Sequence, residues 1–447
     1  MRRFGLLLIV VVIMSLALPI IYPTSTSSIE NGYRYAPSQE ENVTLEWSKI
    51  ISTSSEDMAY RIAGVKENDT EYIYTVCESS NAIKKFIIVK MASDGNVSWN
   101  ITREVYGVIR AYNLMAYQDG NIYMAGSVLQ KNITILRIYK NGSYETIFNS
   151  PLSYSNISEL SLQFRGGFQF TEDGMYIAVT SFNLISSQSS SDIAVFKIAE
   201  NGTILWSLAW GGNDSDQMVD IAVGIDGNIY VVGNTESFGE TSDIFLLGIM
   251  PNGTLLFNVT WSTPNNEYAN DMFVDQHGYI YITGYTCPQE ETASDVLLLK
   301  YYRNVLQYNV TWDSGGDDYG NGIYVSSSHI YIVGYFKSDY TAQEDILILR
   351  SDLSGNVLWT GSWSNNDTDI GYGIYVTENE DIYVCGSTKT TSYGDDIVIL
   401  KYRIPSAIAT ISTVEQKVLI LDVATFALLF ALVPIIIVCV LYKKMSK

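Results

Sequence analysis

One feature constrains this chain more than any other: a short strand of the form Ile-Tyr-x-x-Gly that returns about every fifty residues. It stands at Ile122-Tyr123 with Gly126, Ile229-Tyr230 with Gly233, Ile280-Tyr281 with Gly284, Ile330-Tyr331 with Gly334 and Ile382-Tyr383 with Gly386. Two degenerate copies complete the set, Ile73-Tyr74 with Cys77 in the glycine place and Met175-Tyr176 with Val179 there. Successive tyrosines are 49, 53, 54, 51, 50 and 52 residues apart, which is the period of propeller blades and gives seven units. Apolar residues alternate with period two and are β-branched or aromatic, as in Ile229-Tyr230-Val231-Val232, so the units are strands and not helical repeats.

Each unit holds three further strand-like segments. Downstream of the tyrosine strand lies an apolar run such as Ile244 to Ile249, usually introduced by an aspartate. Upstream, a segment ends in Trp47, Trp99, Tyr144, Trp206, Phe257, Tyr308 or Trp359, and a short strand such as Ile221-Ala222-Val223 lies between. Four strands in each of seven units predict an all-β, seven-bladed propeller over residues 43–403. The strand around Trp47 has no unit before it and the last unit lacks an aromatic strand, so the N-terminal strand is expected to close the last blade. Asp119-Gly120-Asn121, Asp173-Gly174 and Asp226-Gly227-Asn228 lead into tyrosine strands and suit tight primed turns.

Segments such as Trp206 to Asp214, then Ile221, then Asp226 to Thr235, resemble the bacterial and archaeal extracellular beta-propeller repeat often called SBBP. The resemblance covers about residues 43–403 and is strongest in units four to seven. It implies a surface-exposed propeller and brings no assigned reaction, cofactor or catalytic residue.

The ends set the expected address. Arg2 and Arg3 precede the apolar run Phe4 to Tyr22, so residues 1–27 read as a secretory signal or N-terminal anchor, followed by a linker at 28–42. Val423 to Leu441 carries no charge and is long enough to span a bilayer as a helix, with Lys443, Lys444 and Lys447 behind it. Residues 404–417 then form a linker, 418–442 a transmembrane helix and 443–447 a cytoplasmic tail, with the propeller outside the cell. Between residues 23 and 417 stand 22 basic and 47 acidic residues, a formal charge of −25, which argues against nucleic acid as a partner.

Thirteen of the 29 asparagines begin Asn-x-Ser/Thr sequons: Asn42, Asn68, Asn96, Asn100, Asn132, Asn141, Asn156, Asn201, Asn213, Asn252, Asn258, Asn309 and Asn366. That density points to a glycosylated surface, and the scarcity of cysteine leans the reading towards an archaeon. Cys77 and Cys385 become neighbours if the ring closes, but packed sheets stand too far apart for a disulfide there.

Candidate chemistry is sparse. His277 and His329 lack ligand-spaced partners, so no metal site or histidine-based triad is expected. The tryptophans recur in register and read as a stripe between blades. One rim should be acidic, bringing loop residues Asp214, Asp216, Asp317, Asp318, Asp367 and Asp369 towards Asp192, Asp243, Asp295, Asp345 and Asp396. Two readings stay open for it: solvated loops and turn caps, or a calcium site at Asp214/Asp216 or Asp367/Asp369. The function expected is a noncatalytic surface binding or scaffolding ectodomain for a protein or glycan, needing no cofactor. The alternative is an extracellular carbohydrate-active enzyme or lyase.

Overall fold

The computed structural model describes residues 32–34 and 43–404, apart from segments 53–55, 81–84, 105–108, 118–119, 129–131, 152–160, 183, 185–189, 290–292, 339–342, 366 and 392–393. Seven antiparallel sheets form seven blades. Blades 1 to 6 occupy residues 56–104, 109–151, 161–210, 216–261, 266–313 and 318–363, and blade 7 occupies 369–403 together with Thr44–Ile51. Blade 4 is typical: Asp216–Val223 is innermost, then Ile229–Thr235, Asp243–Ile249 and the outer strand Leu255–Trp261.

The ring is closed. Thr44–Ile51 pairs antiparallel with Gly394–Arg403 as the outer strand of blade 7, Trp47 opposite Lys401. Innermost strands contact their neighbours all the way round, blade 7 to blade 1 included. Among the described residues, seven apolar clusters each join two adjacent blades, so the core is a set of wedges between sheets. The cluster between blades 7 and 1 holds Cys77 and Cys385 as free thiols.

The motif glycine has a steric cause. In most blades the innermost strand carries a β-bulge opposite it, as between Met218 and Asp220 or Ala269 and Asp271. The bulge swings a carbonyl under the glycine: a Cβ on Gly233, Gly284, Gly334 or Gly386 would lie 2.1, 1.8, 1.7 or 2.0 Å from the oxygen of Gln217, Tyr268, Tyr319 or Ile370. No side chain fits there. The motif tyrosine is buried, and in six blades its cross-strand neighbour is a cation: Lys90, Arg137, Lys197, Lys300, Arg350 or Lys401.

Four details depart from the sequence reading. The hairpin at Asp226-Gly227-Asn228 is not a primed turn: within Gly224–Asn228 only Gly227 has positive φ (76°), and its N–H donates to Gly224 O. The innermost strand of blade 3, Ser161–Thr171, breaks the regular repeat with a register slip between Leu162 and Gly166. A twenty-ninth strand, Gly32–Arg34, runs parallel to the outer strand of blade 5 and makes that sheet five-stranded. Finally, the rim acids that open the innermost strands are buried and not solvated, as detailed below. Among the described residues there is no helix long and apolar enough to cross a membrane; the signal segment 1–27 and the span 418–442 lie outside them.

Candidate functional site

The rim was built from two sets of acids, and the structure brings them together between blades. Asp57, Asp216, Glu267, Asp318 and Asp369 stand at the starts of innermost strands, fully buried. Four of them accept a hydrogen bond from the backbone N–H four residues earlier: Gly212 to Asp216 at 2.8 Å, Thr263 to Glu267 at 3.2 Å, Ser314 to Asp318 at 2.6 Å and Asn365 to Asp369 at 2.6 Å. Each carboxylate therefore staples the loop that enters its own blade, a capping role of the kind short acidic side chains commonly play. The third-strand aspartates lie beside them. A Cβ on Gly211 would sit 2.4 Å from Asp192 Oδ1 and 2.8 Å from Asp216 Oδ2, so both carboxylates converge on that one position.

Burial of like charges shifts their protonation. Burial pushes Glu267 up to about 7 against the hydrogen bonds from Thr263, and Asp243 adds to the rise. Burial likewise lifts Asp318 to about 7, with Asp313 and Asp295 adding. Asp216 and Asp369 rise for the same first reason, with Asp192 and Asp345 beside them. Their partners in the expected rim site point elsewhere. Asp214 is exposed, Asp317 lies 3.5 Å from Lys337, and Asp367 lies 3.8 Å from Lys389. Among the described residues the acids close enough to share an ion are instead Asp295, Asp313 and Asp318, with ligand oxygens within 4.8 Å of one another. Both oxygens of Asp318 already accept from Ser314.

Of the sequons, Asn68, Asn96, Asn100, Asn141, Asn201, Asn213, Asn252, Asn258 and Asn309 are exposed and Asn132 is half-buried. Asn42, Asn156 and Asn366 lie outside the described residues.

The tryptophans wedge between blades and latch them. The indole N–H of Trp47 donates to Ser93 O, that of Trp99 to Lys140 O and that of Trp206 to Pro251 O, each acceptor lying in the next blade. His329 joins blades 6 and 7. Its Nδ1 lies 2.8 Å from Glu380 Oε1 and 2.9 Å from Ser328 Oγ, while Arg350 Nη2 is 3.0 Å from Nε2. A nucleophilic triad needs the hydroxyl and the acid on opposite ring nitrogens, and here both address Nδ1.

A second polar site lies in the central channel, where the sequence reading placed nothing. In six of the seven innermost strands the bulge turns the next residue towards the axis, opposite the residue that precedes the glycine position of the motif. These are Arg61, Asn113, Asp220, Asp271, Gly322 and Gly373. Five of them, Arg61, Asn113, Asp220, Asp271 and Gly373, line a cavity of about 310 Å³ together with Gln169. The charges are unevenly spread around the ring. Arg61 of blade 1 reaches across to Asp271 of blade 5, Nη1 to Oδ1 at 3.7 Å, and Asp220 of blade 4 lies beside Asp271. Asp271 Oδ2 accepts from Ile323 N at 2.9 Å and Asp220 Oδ1 from Ile221 N at 2.8 Å. Burial, then Asp271, raises Asp220 despite Arg61. Asn113 is committed to the wall, donating to Phe168 O and accepting from Leu114 N.

No family model matches the chain, and no curated protein does. Solved structures do. A Dyadobacter fermentans protein of unknown function is 10% identical, with 81% of this chain and 99% of that one covered at a TM-score of 0.47. A Bacteroides caccae protein of unknown function is 14% identical over 69% and 94%, with a TM-score of 0.40. A Penicillium chrysogenum alpha-L-arabinanase is 9% identical over 67% and 93%, with a TM-score of 0.45. Likeness this remote carries no reaction or ligand over to the chain.

Proposed function

We propose that this chain is a noncatalytic binding or scaffolding ectodomain, exported and held at a membrane by the apolar segment 423–441, with a surface protein or glycan as its ligand. One observation carries the reading: the reactive side chains are engaged in holding blades together. Acids staple loops, indoles latch neighbours and His329 bridges two blades, while the channel cavity is a preformed polar pocket whose lining, among the described residues, holds no serine, threonine, cysteine or histidine. The decisive experiment exposes the purified full chain to glycan arrays and to membrane extracts of its host. Selective retention of a glycan or a surface protein supports the reading, and retention of neither sinks it. Labelling of a cysteine placed at residue 447 from outside intact cells would overturn the topology.

A second reading, a carbohydrate-active enzyme or lyase, is favoured by the pairing of Asp220, whose carboxyl is pushed up by burial and by Asp271, with Asp271 itself, which faces an arginine. Turnover of a polysaccharide that Asp220→Asn abolishes would establish it.

A further inference from the structure

The channel cavity is a site with donors and acceptors but little net charge. The side chain of Arg61 is 22% exposed, and its nearest carboxylate, at 3.7 Å, stands beyond hydrogen-bonding distance. Among the described residues its guanidinium donates no hydrogen bond, so a rigid fork of five N–H groups faces the cavity. Asp271 spends Oδ2 on Ile323 and turns Oδ1 towards that fork. Asp220 stands next to it, and Gln169 adds an amide to the lining.

Charge decides what fits. A free anion would meet two carboxylates, and a metal cation would meet the guanidinium. An apolar group would leave the fork and Asp271 Oδ1 without partners in a confined space, which is costly. What remains is a neutral ligand whose adjacent atoms both give and accept hydrogen bonds, as vicinal hydroxyls do. One hydroxyl can accept from the fork while its neighbour donates to Asp271. The cavity, about 310 Å³, is at the small end for ligand pockets and suits one ring and not a chain of them.

We infer that the central channel binds a single sugar residue against the paired side chains of Arg61 and Asp271, with Asp220 beside it. This rests on the binding reading above and names the ligand class and the place. A free monosaccharide and the terminal residue of a glycan share this chemistry, so both are tested.

The experiment uses the full chain in detergent, titrated with a panel of neutral monosaccharides and applied to glycans immobilised through their reducing ends. Binding to both, lowered by roughly tenfold or more in Asp271→Asn and in Arg61→Lys, is expected, because each loses a charge-assisted or bidentate contact. Asp214→Asn, on an exposed rim loop, should bind as the unaltered chain does. Binding to immobilised glycans alone supports the site with a terminal residue as its ligand. If Asp271→Asn does not fold, Arg61→Lys carries the test, since it keeps the charge. Sugar binding undiminished in Arg61→Lys overturns the channel site and leaves the binding reading standing. Capture of a surface protein with no sugar bound overturns the sugar and again leaves the broader reading. Retention of nothing at all removes both.

Discussion

Arg61 and Asp271 meet across the channel, 3.7 Å apart, although one belongs to blade 1 and the other to blade 5. In a ring of seven blades these positions are nearly opposite, so the pair acts as a crossbar. Removing one partner leaves a charge in a confined site, so Arg61→Ala and Asp271→Ala should each cost about 2 kcal/mol. Pairing Arg61→Met with Asp271→Leu should lie closer to the unaltered protein than either alanine variant. Denaturant melts arranged as a double-mutant cycle read the coupling, and strict additivity would mean that the two side chains do not interact.

Stability should fall as pH rises from about 4 to about 7. Glu267 and Asp318 are each raised to about 7 in the folded chain, so the folded state binds the extra protons in that window. Their contribution is fully present below the ordinary carboxylate range and is lost on passing 7. Asp173, Asp352 and Asp381 are shifted down, Asp173 chiefly by Lys197 and the other two by hydrogen bonds that outweigh burial, so their effect falls below about 4, outside the window. Melting should therefore occur several degrees higher at pH 5 than at pH 8. The net negative charge pushes the same way, so the Glu267→Gln, Asp318→Asn double variant is the discriminating measurement. An unflattened profile there would remove these two groups from the account.

Gly284→Ala should cost about 3 kcal/mol, because its Cβ would fall 1.8 Å from Tyr268 O and the bulge would have to give way. Gly315→Ala is the control. That glycine has φ of 102° but nothing within 4 Å of a Cβ, so only backbone strain of about 1 kcal/mol is expected. Equal thermal shifts for the two would refute the carbonyl contact.

Deleting residues 43–52 removes the outer strand of blade 7 and the latch from Trp47 to Ser93 O. Blade 7 would then expose the edge of Gly394–Arg403, and the melting temperature of the whole ring should drop. An unchanged melting temperature would show that closure does not stabilise the ring.

Blade number, strand order and closure by the N-terminal strand were all legible in the sequence. They follow from a local signal repeated seven times: period-two alternation, a spacing of about fifty residues, and a first strand without a unit matched to a last unit without a strand. The acidic rim was legible as a place but not as an environment. Asp214 and Asp216 are two residues apart, yet one is exposed and the other fully buried, because only Asp216 starts a strand that the next sheet covers. The bulge was invisible too, although the motif glycine was its trace, since glycine marks many kinds of close approach. The channel site was decided by tertiary structure alone. Arg61, Asp220 and Asp271 come from three repeats and occupy one register position; the two aspartates keep the repeat spacing, ten residues before Tyr230 and Tyr281, but Arg61 shares neither their residue type nor that offset, so the repeat does not announce the trio as a site. Only closing the ring sets blade 1 opposite blades 4 and 5, and a contact across an axis has no counterpart in the order of the chain.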